Sequence, residues 1–87
     1  MIYLIQCLDK IKVGWTAQSF DHYLNWLQRR IPFELKVLAT RSGDEDEERQ
    51  FHRDHKEFRA DWGGNEWYGL DVLEEAREFL QAVTARY

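Results

Sequence analysis

Cys7 is the only cysteine of the chain, so no internal disulfide framework can form. Its place in the apolar run 1–7 reads as a small buried hydrophobe, and a reducing cytoplasm is the expected setting. That run is too short for the apolar segment of a secretion signal. No stretch approaches the ~20 apolar residues needed to span a bilayer, so a soluble protein with no membrane partner is expected. Basic side chains are also short in supply: 12 Lys and Arg against 16 Asp and Glu leave a net charge of −4. That balance argues against a protein held on nucleic acid by bulk charge, while leaving room for a local basic patch. Internal repeats, low-complexity tracts and linkers are absent too.

Aromatics are plentiful. Four Trp, four Tyr and five Phe in 87 residues let a short chain build a core, and the length suits one domain spanning 1–87. Ile2 to Cys7 carries apolar side chains on both alternating faces, as a strand covered on both sides does. Leu8, Asp9 and Lys10 connect it to a second strand, Ile11–Trp15, giving an antiparallel hairpin. Gly14 lies inside that strand, where glycine often marks a close approach by another backbone or a ligand. Thr16 or Ser19 can cap a first helix on which Phe20, Tyr23, Leu24, Leu27 and Ile31 recur at helical spacing, and Pro32 stops it. Phe33, Leu35, Val37 and Ala39 alternate with their neighbours as a third strand.

Asp44 and Glu47 form a capping box for a second helix expected to reach Phe58. Ala60 to Asn65 reads as a loop with Gly63-Gly64 freedom and Trp62 able to fold over a ligand. Glu66-Trp67-Tyr68 is a short extended piece. Asp71 and Glu74 form a second box before a last helix striped by Val72, Leu73, Ala76, Phe79, Leu80 and Val83. The expected fold is α+β: a three-stranded antiparallel sheet flanked by about three helices.

One helix does not look like an ordinary core element. Glu48, Phe51, His52, His55, Phe58 and Arg59 share one broad side of the second helix. Burying a carboxylate, imidazoles and a guanidinium costs energy unless they are paired or face a wet cleft. The pattern leaves two readings open: solvated shoulders, or Glu48 and His52 presented to a concave site. Glu48, His52 and His55 lack a second Cys or His segment, which argues against structural zinc. A carboxylate holding hydrated Mg²⁺ against a phosphate is chemically better suited.

Five segments together resemble the GIY-YIG nuclease superfamily, most of all its T5orf172-like branch, many of whose members are phage-encoded. They are Ile2-Tyr3-Leu4-Ile5, Lys12-Val13-Gly14, Leu24-Asn25-Trp26-Leu27-Gln28 before Pro32, Glu48-Arg49-Gln50-Phe51-His52, and Glu66-Trp67-Tyr68. The resemblance implies an endonuclease that hydrolyses DNA phosphodiesters with Mg²⁺ or Mn²⁺. It implies Glu48 as the metal ligand, Tyr3 in proton transfer and His52 near the phosphate. Lys12 stands where the family has its second tyrosine, and His22 or Tyr23 where it has a phosphate-clamping arginine. Neither offers a bidentate guanidinium, so weak or degenerate cleavage is expected, with Arg59 or Lys12 as the substitute positive charge. Arg29 and Arg30, with Gly14, Lys36 and Arg41, are further candidates for nucleic-acid contact. The alternative is an inactive relative that binds nucleic acid or a protein partner.

Overall fold

The computed structural model describes residues 1–61 and 66–81. The expected loop features Trp62 and Gly63-Gly64, and Val83 of the last helix, lie outside the described residues. Strands β1 (Ile2–Cys7) and β2 (Lys10–Trp15) form the expected hairpin, in register from Ile2 opposite Trp15 to Cys7 opposite Lys10. The turn is only Leu8 and Asp9, and Leu8 adopts a left-handed φ of 56°. Positive φ is what a two-residue turn needs to match strand twist.

β1 is central. It pairs antiparallel with β2 on one side and with β3 (Lys36–Arg41) on the other. Its side chains are buried on both faces, apart from half-buried Gln6, and each face makes its own core. Ile2 and Leu4 join Ile11, Val13, Phe51 and Tyr68 beneath helices α2 (Glu45–Asp54) and α3 (Leu73–Gln81). Tyr3, Ile5 and Cys7 join Leu35 and Trp67 beneath α1 (Phe20–Gln28), which contributes Phe20, Tyr23, Leu24 and Leu27. Ser19 occupies the N-cap position of α1 without a side-chain cap bond, and the Thr16 hydroxyl instead accepts from the Gln18 amide at 3.2 Å. The Gln28 amide organises the loop that follows, donating to the carbonyls of Ile31 and Phe33 and accepting from Leu35 N–H.

Four expectations are corrected. The sheet has four strands, because Trp67–Gly69 pairs with β2 as β4, giving the order β3-β1-β2-β4. β3 begins at Lys36 rather than Phe33, and its register slips so that Leu4 faces Ala39 while Ile5 faces Val37. The extra residue, Leu38, breaks the simple alternation, and Phe33 and Val37 are both 45% exposed. α2 stops at Asp54, and a 3-10 turn, Lys56–Phe58, carries Phe58 out to solvent. A second 3-10 turn, Leu70–Val72, precedes α3, so Asp71 sits inside a turn rather than capping the helix.

Candidate functional site

β4 is the shortest strand, and the site is built where it ends. Val13 N–H still donates to Glu66 O at 3.2 Å, one step beyond the pair Lys12 opposite Trp67. Among the described residues, no strand lies beside the Val13 carbonyl on the same edge. A buried carbonyl must be paired, and the His52 ring does this, with Nε2 2.9 Å from Val13 O.

α2 delivers His52 there. The Asp44 side chain accepts from Glu47 N–H at 2.9 Å and Glu47 accepts from Asp44 N–H, the expected capping box. Glu47 also reaches Arg41 at 3.1 Å, and Arg41 Nε donates to Phe79 O of α3. Arg41 is therefore a buried tie between α2 and α3, not part of a surface basic strip. Glu48 and His52, one turn apart, are 8% and 7% exposed. Glu48 Oε1 lies 2.8 Å from His52 Nε2, and Tyr68 OH lies 2.5 Å from Nδ1 with its ring stacked on the imidazole.

These contacts fix the tautomer. A carbonyl oxygen only accepts, so Nε2 carries the hydrogen and donates to Val13 O, with the Glu48 carboxyl alongside at 2.8 Å. Nδ1 accepts from the Tyr68 hydroxyl. Burial pushes the imidazole below its ordinary range and keeps it neutral. Glu48 is driven the other way: burial first, then repulsion by Glu66 and Glu45, pushes the pKa of its carboxyl up to about 7.

Glu66, just ahead of β4, completes the cluster. Lys12 Nζ donates to its Oε1 at 2.6 Å and lies over the Trp67 ring. One ligand atom each from Glu48, His52 and Glu66 fall within 4.8 Å of one another. They open onto a groove of about 260 Å³ that Arg49, Arg53 and Arg59 also line. Two carboxylates at this separation suit a hard divalent cation with oxygen ligands, and the raised pKa of Glu48 records in part a repulsion that a cation would relieve. Both His52 nitrogens are already engaged, so the carboxylates are the better ligands and His52 holds Glu48 in place.

The other sequence candidates divide. Tyr3 is buried on the α1 side and lies across Gly14, where a Cβ would fall on its hydroxyl and Cζ. Burial, then a hydrogen bond with Tyr23, drives its pKa far up, so it stays protonated and does not serve as a base. Tyr23 packs on Tyr3 with ring centroids 5.0 Å apart. His22, Tyr23 and Arg29 line a different groove along α1, and Arg30 lies over Trp26 at 3.8 Å. The structure thus gathers Lys12, Glu48, His52 and Arg59 at the groove, places Tyr3 and Gly14 beside it in β1 and β2, and leaves His22, Tyr23, Arg29 and Arg30 along α1 and its C-terminal end. Sequence reasoning missed Glu66 and Tyr68 as site residues. Their signal was a carboxylate and a hydroxyl two apart in an extended tripeptide, which strand geometry points to one face. Comparison with models of known families, with curated proteins and with solved structures finds no match for this chain.

Proposed function

We propose that the groove is a divalent-metal-dependent phosphodiesterase centre acting on DNA, endonuclease-like and of modest power. The observation that carries the reading is the convergence of Glu48, His52 and Glu66 in a groove framed by three arginines. Glu48 and Glu66 would hold Mg²⁺ or Mn²⁺. When bound, the cation supplies Lewis-acid polarisation of the scissile phosphate and stabilises the leaving oxygen. Lys12 orients Glu66, and His52, locked by Val13 and Tyr68, orients Glu48. Arg49, Arg53 and Arg59 attract the phosphate and offer the guanidinium fork that α1 lacks. Tyr3, protonated at working pH, can donate a hydrogen bond but not accept a proton. One misplaced transition-state donor typically costs ~10²–10³ in rate, so the arginine's absence from α1 supports weak cleavage.

A second reading, an inactive relative that binds nucleic acid or a protein partner, is favoured by the burial of Tyr3, which leaves its hydroxyl out of solvent. Incubation of supercoiled plasmid and branched DNA with Mg²⁺ or Mn²⁺ separates the two. Nicking by the wild type that disappears in Glu48→Gln and Glu66→Gln, with both variants folded by circular dichroism, supports the enzyme. Absence of cleavage at high protein concentration, with salt-sensitive DNA retention in EDTA, establishes the binding module instead.

A further inference from the structure

We propose that the groove along α1 is a second nucleic-acid contact, which seats the backbone of a single strand leading away from the carboxylate cleft. The inference rests on the reading of that cleft as a DNA site. The groove, about 470 Å³, is lined by Gln18, His22, Tyr23, Asn25, Trp26 and Arg29. His22, Asn25 and the C-cap residue Arg29 follow one another at helical spacing and so form one ridge, and Gln18, just ahead of the helix, lines the same groove. All four offer hydrogen-bond donors, and no carboxylate is among the described lining residues, in a chain with 16 acids. That local sign is opposite to the net charge, and it complements a phosphate backbone.

The apolar wall adds a second kind of recognition. Trp26 is 48% exposed, lies 6.0 Å from the Tyr23 ring and 3.8 Å from the Arg30 guanidinium, and so groups aromatic and guanidinium planes at the surface. Unpaired bases stack on aromatic rings and on arginine planes, which a duplex cannot do without opening. His22 and Arg29 are about 10 Å apart along the helix axis, room for two or three nucleotides at the stacked rise of about 3.4 Å. Tyr23 also connects the two grooves: it lines this one and packs on Tyr3, which crosses Gly14 of β2. The outer edge of β2 carries the carboxylate cleft.

The test uses the full chain in EDTA, so that no chemistry intervenes. Anisotropy of a labelled oligothymidylate and of a duplex of equal length is measured across a salt series at pH 6 and pH 8. In His22→Ala/Arg29→Gln the affinity for the single strand is expected to fall about tenfold. The slope of log K against log salt should shrink by about 0.7 for each phosphate that the variant no longer neutralises. Trp26→Leu should weaken the single strand but not the duplex. Unchanged slope and affinity in the double variant would overturn the inference, as would equal losses on duplex and single strand. If the double variant melts early, Arg29→Glu serves in its place: a weaker single strand with a shallower slope supports the groove, and an unchanged one overturns it. The cleft has its own readout, because Glu48→Gln is expected to keep full single-strand affinity in EDTA while losing cleavage.

Discussion

At the scale of residues, the cleft depends on two groups held in unusual protonation states. Glu48, raised to about 7 against an ordinary 4.5, binds more protons in the folded chain than in the unfolded one. Its contribution to stability therefore falls as pH rises from about 4.5 through about 7. His52, lowered by burial, acts in the opposite sense as pH falls below its ordinary range. The difference in melting temperature between wild type and Glu48→Gln isolates the carboxylate: the wild type should lose ground steadily over that window. Affinity for Mn²⁺ should rise over it, as the cation displaces the proton. A flat difference curve would remove Glu48 from this role. Tyr68→Phe deletes the donor to His52 Nδ1 and leaves a buried acceptor unpaired, at a cost of about 1–3 kcal/mol. Urea titration reads the loss, and imidazole ¹⁵N shifts should report the tautomer loosening. Glu48 and His52 were legible because helical periodicity alone puts them on one side. Glu66 and Tyr68 were legible only as an extended piece, because which strand that piece pairs with, and so which site it reaches, is not written in the tripeptide.

At the scale of elements, the order of strands and helices was readable from alternation, helical spacing and the Asp44–Glu47 box. Two features were not. β4 has three residues, too few to show a period, and it becomes a strand only because β2 offers it an open edge. The bulge at Leu38 is a tertiary matter: it lets Leu38 and Ala39 both reach the core of α2 and α3, and so turns Val37 outward. The hairpin turn gives a direct test of local strain. Leu8, 56% exposed, gains little from packing yet holds φ at 56°. Leu8→Gly should stabilise by about 1 kcal/mol, visible as a rise of about 4–8 °C in the melting midpoint. A fall would mean that the leucine packs usefully after all.

At the scale of the whole molecule, one sheet separates two cores, and Gly14 is where the tyrosine of one core crosses the strand that serves both. Gly14→Ala has nowhere to put its methyl group except into buried Tyr3. It should cost about 1–3 kcal/mol, read as a lower urea midpoint at unchanged m-value. The same sheet order puts the shortest strand at an edge, where three residues pair with β2 and the outer side has only the Arg59–Tyr68 bridge and the bond from Ala60 N–H to Trp67 O. Glu66 arrives at the cleft only when that strand is zipped onto β2, whereas Glu48 comes from α2. A cation gripped by both would act as a clasp that closes the segment 66–81 onto the rest. At a hundredfold excess over its Kd, the clasp stabilises the closed form by ~2.7 kcal/mol, and hydrogen exchange at Trp67 to Gly69 should slow more than in β1. Ligand occupancy and the order of this strand would then be linked, so that loading tightens a strand the fold already forms.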